Sequence, residues 1–498
     1  MRAWRTARCS APYLQTPRRL ISRANKPFTG SPSIVALLDR NEPTKNVEAN
    51  GWVRSVRKQK KVAFAAIGDG STLEPLQAVM KPEVAEGLTT GAAVKLTGDW
   101  VQSHGKGQSH ELQVSKATLL GENDAESNPI QPKYQTAEFL RTVPHLRTRI
   151  PANALLLRLR SQVIASLTRF FADEGFVQTH TPIITSSDCE GAGEVFTVSS
   201  NASKVSDQKA ADGKVEHFFK EPKYLTVSAQ LHLEALAQAV DKVWTLSPTF
   251  RAEKSDTPRH LSEFYMLEAE QCFVTDANQI MDLIENMLRY LATDLHHTRT
   301  VKELIQSKGD SQSEEDGNSI DSKALEARWS GMKAKYWPRI PYAAAIKILE
   351  TAHTTFEIKP NYKDGLAAEH ERFLAEKVGQ GSPVFVTDYP QAQKPFYMAT
   401  SPDHTQETVA CFDLLVPDLC ELVGGSMREH RLDSLQAAMK AKGIAGEGLE
   451  WYQDLRRYGS VPHGGFGLGF DRLLCYLSGV GNLRDVIAFP RWHGRCDC

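Results

Sequence analysis

The most informative stretch of the sequence is FRAEKSDTPRHLSEFYMLE, residues 250–268. Its two ends have the composition of strands, and the polar residues Lys254–Arg259 between them predict a loop. An arginine held on a rigid strand, as Arg251 would be, can grip carboxylate and phosphate oxygens through two parallel hydrogen bonds. Considered alone, an arginine and a glutamate two residues apart, such as Arg251 and Glu253, more often form a surface ion pair. The stretch therefore needs support from other parts of the chain.

A glycine-rich segment near the C-terminus gives part of that support. Residues 464–474 have the sequence GGFGLGFDRLL, in which Arg472 follows a predicted glycine-rich strand and offers a second guanidinium for anionic oxygens. Gly465, Gly467 and Gly469 invite comparison with dinucleotide-binding loops, but no acidic residue follows a second strand at the required offset. The sequence also contains no P-loop, so a nucleotide would be bound without the commonest nucleotide motifs.

The third segment is a long helix followed by a strand. Apolar residues recur with helical spacing from Asn153 to Glu174, and Gly175 is predicted to end that helix. A strand is expected over residues 176–182, where Pro182 ends it. Taken in chain order, the three segments resemble motifs 1, 2 and 3 of the class II aminoacyl-tRNA synthetases.

This resemblance implies an α+β protein in which an N-terminal OB-fold β-barrel precedes a catalytic domain built on an antiparallel β-sheet flanked by helices. It implies that ATP activates the carboxylate of an amino acid, with charge building up at the α-phosphate. By motif position, the catalytic residues are Arg251, Glu253 and Arg472. The ATP-binding residues are Arg251, Glu253, Arg259, His260, Phe264, Glu421 and Arg472. Asp413 and Glu421 are the expected ligands of Mg²⁺.

Three further stretches resemble the asparaginyl branch of the aspartyl/asparaginyl/lysyl subgroup. They are TPIITSSDCEGAGE (residues 181–194), TVSAQLHLE (residues 226–234) and ELVGGSMR (residues 421–428). The resemblance implies a homodimer that joins L-asparagine to tRNA(Asn) through an asparaginyl-adenylate. It also implies that the α-amino end of the substrate is held by Glu190, Ser228 and Gln230, and that Glu268 and Arg428 bind the rest of the amino acid.

Charge and hydrogen-bond polarity must separate asparagine from aspartate, because the two side chains are nearly isosteric. Leu233 stands where the aspartyl relatives carry a lysine, so Arg428 is the one cation expected beside the substrate side chain. Glu268 is then expected to accept hydrogen bonds from the amide NH₂ and to repel a carboxylate. The alternative is that Glu268 binds only the α-ammonium group and that Leu233 is a packing residue.

Short predicted strands separated by turn residues occupy residues 44–121, a pattern typical of a small barrel such as an OB-fold. A strand is expected to open at Gly51, and breaks are expected at Gly68–Gly70, at Gly98 and at His104–Gly107. Cations and an aromatic residue at the first hairpin, with a polar edge reader beyond, suit single-stranded RNA. The predicted anticodon-binding residues are Arg54, Arg57, Phe64 and Gln77. The alternative for the hairpin is a solvated tip.

A polar linker is expected over residues 122–140 and the catalytic domain over residues 141–498, with polar surface insertions at 199–215 and 306–322. The net charge is −1, so any nucleic-acid surface must be a local patch. The eight cysteines are scattered, which favours a reducing compartment over a disulfide framework, and no apolar run is long enough to span a membrane. His493, Cys496 and Cys498 lack the spacing of zinc ligands.

Residues 1–38 are rich in arginine and contain no acidic residue, a composition typical of a mitochondrial transit peptide. They predict a mitochondrial matrix protein; the alternative is a basic arm that contacts RNA. Three rival functions stay open on the sequence alone: an aspartyl-tRNA synthetase, a related amidating enzyme that makes free asparagine, and a non-catalytic RNA-binding protein. The predicted barrel argues against the amidating enzyme, and Arg251, Glu253, Glu421 and Arg472 argue against a non-catalytic protein.

Overall fold

A computed structural model of the protein describes residues 30–105, 107–186, 194–200, 217–309, 320–402, 407–444 and 448–498. Its N-terminal part is a closed barrel with strand order β1-β2-β3-β5-β4. The strands are β1 Thr44–Lys58, β2 Ala63–Gly68, β3 Leu76–Met80, β4 Ala93–Gln102 and β5 His110–Gly121. Buried and partly exposed residues alternate along β2 and β4, as expected when one face of each strand fills a barrel. The predicted five-stranded barrel is confirmed.

Two glycines expected to open or break strands lie inside them. β1 runs through Gly51, and β4 runs through Gly98. A Cβ atom at Gly98 would lie 2.1 Å from the carbonyl oxygen of Gln113, at a point where the register between β4 and β5 shifts. Gly98 therefore allows close approach of two backbones at a bulge, a use of glycine that a turn signal does not distinguish.

A short helix, α1 (Ile34–Leu38), closes one end of the barrel. Ile34 and Leu37 are buried in the barrel core. The backbone N–H of Ile34 donates to Asp69 at 2.8 Å, and that of Val35 donates to the Ser71 hydroxyl at 3.0 Å. Residues 33–38, assigned to the leader from their composition, thus belong to the folded barrel. Residues 1–29 of the predicted leader lie outside the described residues.

The catalytic part is built on an eight-stranded sheet of order β12-β13-β14-β15-β16-β11-β10-β6, with antiparallel pairing from β13 to β10 and a parallel pair at each end. A separate three-stranded sheet has the order β7-β9-β8, and its strands fall between β6 and β10 in the sequence. The strands are β6 Val177–Gln178, β7 Ile184–Thr185, β8 Thr197–Val198, β9 Lys223–Leu225, β10 Lys242–Phe250, β11 Glu263–Cys272, β12 Arg339–Pro341, β13 Val384–Thr387, β14 Cys411–Val416, β15 Cys420–Met427 and β16 His463–Gly469.

Helices surround this sheet, and the largest hydrophobic core lies between it and the helices α4, α6, α8 and α13. The helices are α2 Ala137–Arg141, α3 Pro144–Arg147, α4 Pro151–Asp173, α5 Gln230–Val240, α6 Ala277–Leu295, α7 Arg299–Gly309, α8 Ser322–Met332, α9 Tyr342–Glu350, α10 Ala368–Lys377, α11 Leu432–Ala441, α12 Glu450–Arg457, α13 Phe470–Ser478 and α14 Leu483–Val486, with a 3-10 helix at Gln391–Gln393. The predicted α+β fold with a mainly antiparallel sheet is confirmed.

The long predicted helix is α4, and Gly175 ends the helical segment with a φ of +77°. The strand expected over residues 176–182 is shorter than predicted, because β6 holds only Val177 and Gln178 and the backbone pairing with β10 ends at Thr179. The end of the predicted linker also differs. α2 begins at Ala137, and Arg141 donates two hydrogen bonds to Asp485 of α14, so this segment packs on the catalytic part.

Candidate active site

The glycine-rich strand β16 forms the floor of a cleft at the centre of the large sheet. Glu268 on β11 pairs in register with Gly467 on β16, and Gly467 pairs with Gly424 on β15. A Cβ atom at Gly465 would lie 2.0 Å from a carboxylate oxygen of Glu270, so the missing side chain leaves the space that this glutamate occupies. Gly465 of β16 therefore makes room for the charged side chain of Glu270 on β11.

The first half of the cleft, which we call the nucleotide half, is a cavity of about 170 Å³. All seven residues predicted to bind ATP line it. Its lining includes Arg251, Glu253, Arg259, His260, Phe264, Glu421 and Arg472. Phe264 offers an aromatic face whose centroid lies 5.8 Å from the Arg251 guanidinium carbon.

The charged groups of the nucleotide half are loosely packed and partly exposed. Arg251 Nη1 lies 4.0 Å from Glu253 Oε1, and His260 Nε2 lies 3.4 Å from Glu253 Oε2. Arg472 is anchored by a hydrogen bond of 2.8 Å from Nη1 to the Glu421 carbonyl oxygen. Arg259 donates to the carbonyl oxygen of Asp418 at 3.1 Å, in the turn between β14 and β15. This half is lined with cations and an aromatic face, which is the chemistry that binds a polyanionic nucleotide.

The second half, which we call the amino-acid half, is a cavity of about 220 Å³. Its lining includes Ser228, Gln230, Leu233, Glu268, Glu270, Lys394, Asp413 and Arg428. Four residues line both cavities, Arg251, Met266, Glu421 and Gly467, and the charged ones among them are Arg251 and Glu421. The two halves therefore meet at one arginine and one carboxylate, where a group on a nucleotide would face a group on a small ligand.

The predicted metal ligands converge at this junction. A Cβ atom at Gly424 would lie 3.1 Å from Glu421 Oε1 and 3.5 Å from Asp413 Oδ1, so both carboxylates meet above this glycine. Burial and the neighbouring charge of Asp413 raise the pKa of Glu421. Among the described residues no group of three or more acidic, histidine or cysteine side chains could hold a metal by itself. Two carboxylates suit Mg²⁺ that arrives with substrate phosphates.

Lys394 is a functional candidate that the sequence analysis missed. Its Nζ donates to Asp413 Oδ2 at 2.8 Å and lies 3.9 Å from the centroid of the Tyr389 ring. Nothing in the local sequence marks it, because the chain segment around the 3-10 helix is irregular and reaches the cleft only through the tertiary fold. Lys394 and Arg251 also line the amino-acid half, so Arg428 is not the only cation of this cavity, and its place beside the substrate side chain stays a prediction.

Glu268 is held at the start of α5. The Ser228 hydroxyl donates to Glu268 Oε1 at 2.5 Å, and the backbone N–H of Ala229 donates to both carboxylate oxygens at 3.0 and 2.9 Å. Gln230 donates its side-chain NH₂ to Glu234 at 3.0 Å. These bonds fix the orientation of Glu268 and direct the donor of Gln230 away from the cavity, so its carbonyl oxygen is the part suited to accept from a ligand.

Arg428 belongs to a buried ionic network instead of standing alone. Its guanidinium bonds both carboxylate oxygens of Glu270, with Nη2 to Oε2 at 3.0 Å, and its Nη1 donates to Ser426 Oγ at 2.7 Å. Besides the bond from Gln230, Glu234 binds Arg456 at 2.6 Å, His463 at 3.1 Å and the Tyr452 hydroxyl. Burial alone would raise the pKa of Glu234, but Arg456, His463 and Arg428 hold that pKa below its usual range.

Part of this network could have been predicted from the sequence. Glu270 lies two residues after Glu268 on the same strand, so alternation along a strand places both side chains on one face. Glu234 follows Leu233 directly, and Leu233 packs with Ala229, Ala237 and Val243 as a buried residue. Arg456 and Tyr452, by contrast, come from the distant helix α12 and carry no local signal. The predicted substrate ligand Glu190 lies outside the described residues.

On the barrel, three of the four predicted RNA-binding residues share one outer face. Arg57 pairs in register with Phe64, and Gln77 pairs with Ala66, two residues along from Phe64 on the same side of β2. Arg54 lies elsewhere. Its guanidinium donates to the carbonyl oxygens of Leu73 and Thr72 at 2.8 and 3.3 Å, and burial lowers its pKa. This geometry gives Arg54 a structural role in the turn instead of the RNA contact predicted from the sequence.

That turn joins the barrel to the catalytic part. Glu303 on α7 accepts hydrogen bonds from the Thr72 hydroxyl at 2.5 Å and from the Leu73 N–H at 3.1 Å. Arg158 on α4 donates to the same carboxylate at 2.7 Å and to the Ser71 carbonyl oxygen at 2.9 Å.

Among the helices that the structure describes, none is both long and apolar enough to cross a membrane.

Comparisons with known proteins agree with this geometry. Residues 136–493 match the family of class II tRNA synthetases (D, K and N), and residues 47–120 match the OB-fold nucleic acid binding domain. An asparagine–tRNA ligase from Nostoc is 42% identical over 92% of this chain and 97% of its own length. The mitochondrial asparagine–tRNA ligase of Saccharomyces cerevisiae is 40% identical over 93% of this chain and 96% of its own length.

A solved structure shows the same fold. The asparaginyl-tRNA synthetase of Pyrococcus horikoshii, complexed with asparaginyl-adenylate, superposes with a TM-score of 0.80 at 29% identity, over 94% of this chain and 99% of that chain. The family match spans most of the sequence, and both relatives are covered almost completely. The chain therefore belongs to the class II tRNA synthetases and, within them, to the asparagine–tRNA ligases.

Proposed function

We propose that this chain joins L-asparagine to tRNA(Asn) in two steps, through an asparaginyl-adenylate, and that it does so as a homodimer in the mitochondrial matrix. The observation that carries the proposal is the meeting of two cavities at Arg251 and Glu421, one suited to a nucleotide and the other to a small polar ligand. The names of the relatives supply the amino acid and the tRNA.

The first step uses the junction. With ATP in the nucleotide half, adenine packs on Phe264 and Arg472 binds the far phosphates. An oxygen of the asparagine carboxylate attacks the α-phosphorus, the bond to the bridging oxygen breaks, and pyrophosphate leaves. Arg251 faces both reacting groups, so it holds them in line and offsets the charge that develops between them. Asp413 and Glu421 would hold Mg²⁺, which supplies further positive charge to the phosphates.

The amino-acid half accounts for the choice of asparagine. Glu268 and the carbonyl oxygen of Gln230 are acceptors for the α-ammonium and amide NH₂ groups, whereas Arg428 is a donor for the amide oxygen. Arg428 is already neutralised by Glu270 at 3.0 Å, so this wall presents donors without excess positive charge. A substrate carboxylate would face Glu268 and Glu270 in a desolvated pocket, which costs several kcal/mol in like-charge contacts.

In the second step a ribose hydroxyl of the tRNA attacks the carbonyl carbon of the adenylate, and AMP leaves. The outer face of the barrel is proposed to bind the anticodon, with a base stacked on Phe64 and its edge bonded by Gln77. Arg57, directly opposite Phe64, is placed to bind a phosphate.

The homodimer is supported by apolar residues left exposed along one continuous segment. Leu157 on α4, Val177 on the edge strand β6, and Ile183 and Ile184 are each about 40% exposed. An edge strand and a helix with apolar exposed residues suit a self-complementary interface. Import into mitochondria is supported by the basic N-terminal composition and by the mitochondrial relatives of two yeasts.

The test is ATP–pyrophosphate exchange with each of the twenty amino acids, followed by charging of tRNA transcripts. Asparagine should support exchange far above every other amino acid, and tRNA(Asn) should be charged in preference to tRNA(Asp). Exchange that responds first to aspartate would overturn the amino-acid assignment. Exchange with asparagine but no transfer to any tRNA would favour an enzyme that uses the adenylate for other chemistry.

The anticodon assignment has its own test with a matched control. Phe64→Ala should weaken tRNA binding by about 1–3 kcal/mol, the usual value of one stacked base. Tyr336→Ala removes an exposed aromatic side chain from the catalytic part, outside the barrel, and should leave tRNA affinity unchanged. Equal losses in both variants, or a loss of asparagine-dependent exchange in Phe64→Ala, would show that the effect is structural.

A further inference from the structure

Arg160 on α4 reaches from the long helix into the wall behind the nucleotide half of the cleft. Its Nη1 donates to Asp471 Oδ1 at 2.6 Å, and the Asp471 side chain is almost fully buried. Arg160 itself is about one-fifth exposed, so the pair lies at the boundary between the interior and the surface. Nothing in the two reaction steps above uses it.

The second oxygen of Asp471 ties in a third element. Asp471 Oδ2 accepts a hydrogen bond of 2.8 Å from the backbone N–H of Tyr265 on β11. One carboxylate thereby links α4, β11 and α13. The Arg160 guanidinium also contacts two aromatic rings, with its central carbon 5.0 Å from the Tyr265 centroid and 4.9 Å from the Phe470 centroid. We call these four residues, Arg160, Tyr265, Phe470 and Asp471, the clasp.

The clasp lies beside Phe264 and Arg472, the two side chains proposed to flank ATP. Tyr265 precedes Met266 and follows Phe264, the aromatic face of the cavity, and Asp471 precedes Arg472. Phe264 and Arg472 stand on different elements, β11 and α13. The backbone ladder between β11 and β16, in which Met266 pairs with Gly469, already ties the two elements together, and the Asp471 carboxylate adds a side-chain link between them. Asp471 is therefore a second restraint, beside the backbone ladder, on the separation between the Phe264 and Arg472 side chains, and Arg160 holds Asp471 in place.

We infer that Arg160 is a positioning residue for the nucleotide: through Asp471 it sets the spacing between Phe264 and Arg472. The inference rests on the proposed binding of ATP in this cavity. A planar guanidinium can bond a carboxylate and stack between two rings at once, whereas a lysine ammonium keeps the charge without the plane. The asparagine-binding side chains lie on the other side of Arg251, so the clasp acts on one substrate and not on the other.

The experiment compares Arg160→Met and Arg160→Lys with the parent enzyme in asparagine-dependent pyrophosphate exchange. We expect Arg160→Met to raise the KM for ATP by about 10- to 100-fold, the scale of a displacement of roughly 1 Å in a binding group. The KM for asparagine should change less than that for ATP by at least an order of magnitude. Arg160→Lys should fall between the parent and Arg160→Met in its KM for ATP.

Arg169→Met is the matched control, since Arg169 lies on the same helix and pairs with Asp294 on the surface. It should leave both KM values at the parental level. The inference is overturned if Arg160→Met keeps the parental KM for ATP, or if it raises both KM values equally. Should Arg160→Met fail to fold, an unchanged KM for ATP in Arg160→Lys overturns it as well. Parental exchange with asparagine tests the proposed function separately from all of these outcomes.

Discussion

The nucleotide half and the amino-acid half of the cleft are built on different electrostatic principles. In the nucleotide half, the side chains of Arg251, Glu253 and His260 are between 33% and 41% exposed, and their mutual distances are 3.4 to 4.0 Å. In the amino-acid half, Arg428 and Glu270 are at most 4% exposed and lie 3.0 Å apart. The same kinds of charged residue are thus partly exposed to solvent in the nucleotide half and buried in an ionic network in the amino-acid half.

The ligands proposed for the two halves account for this difference. ATP brings its own large charge, so the site that receives it needs accessible cations that can adjust to the phosphates. Asparagine has a neutral side chain whose recognition depends on the direction of each donor and acceptor. Fixing those directions requires side chains that are already paired and hydrogen bonded before the ligand arrives, which is the arrangement in which buried polar groups become most specific.

The largest expected effect is a loss of stability, which should be large for a variant in the buried network of the amino-acid half and small for one in the nucleotide half. Arg456→Met leaves Glu234 buried without its closest cation, and removing one partner of a buried pair costs about 3–5 kcal/mol. In the exposed pair of the nucleotide half, Glu253→Gln should change stability by only about 0.5 kcal/mol or less. Urea unfolding of both variants measures this. Equal shifts in their urea midpoints would mean that the two halves do not differ in the way described.

The second prediction reverses that order for catalysis. Arg251→Ala should lower kcat for pyrophosphate exchange by about 10²–10³, as for the loss of one donor to a developing oxyanion. Because the Arg251 side chain is about one-third exposed, the urea midpoint should stay near that of the parent. A variant that loses stability and retains its rate would place Arg251 in the framework of the cleft and not at the reacting atoms.

The third prediction tests amide recognition within the buried half. Glu268→Gln replaces an acceptor-only carboxylate by an amide, so activation of asparagine should weaken by about 1.5–3 kcal/mol, the value of a hydrogen bond to a charged group. Aspartate should lose less, because a like-charge contact disappears. The ratio of kcat/KM for asparagine over aspartate is the quantity to measure. An unchanged ratio would show that Glu268 binds only the α-ammonium group.

The smallest expected effect is a salt dependence. Raising ionic strength to about 0.3 M should increase the KM for ATP by about threefold, because salt screens exposed charges within a few ångströms. The KM for asparagine should stay nearly constant. Measurement at saturating concentrations of the fixed substrate gives each KM separately. Equal sensitivity of the two values would show that the amino-acid half also relies on solvated charge.

Much of the fold was predictable because its signals are local. Gly175 ended a helix as expected, and short strands separated by turn residues predicted the barrel. Gly98 was misjudged because a glycine that lets two backbones approach at a bulge has the same sequence signature as one in a turn. Residues 33–38 were misjudged because two buried apolar residues in a short helix do not alter a basic composition.

More of the nucleotide half than of the amino-acid half could be predicted from the sequence. Six of the seven residues predicted for the nucleotide half lie in two contiguous motifs, the seventh is Glu421 on β15, and all seven line one cavity. The amino-acid half draws Lys394, Arg456 and Tyr452 from segments far apart in the chain, and none of them carries a recognisable spacing. Arg54 shows the converse error: a cation in a basic hairpin was assigned to RNA, although its bonds to two backbone carbonyls make it part of the turn.

The most direct test of the two-half account is a crystal structure with a non-hydrolysable sulfamoyl analogue of asparaginyl-adenylate. We expect adenine to lie against Phe264 and the sulfamoyl group to accept a hydrogen bond from Arg251 at the junction. The side-chain amide should direct its oxygen to Arg428 and its nitrogen to Glu268, with the Arg428–Glu270 pair in place. A side chain bound outside this pocket, or an Arg428–Glu270 pair that opens to receive it, would contradict the claim that the amino-acid half is arranged before the ligand binds.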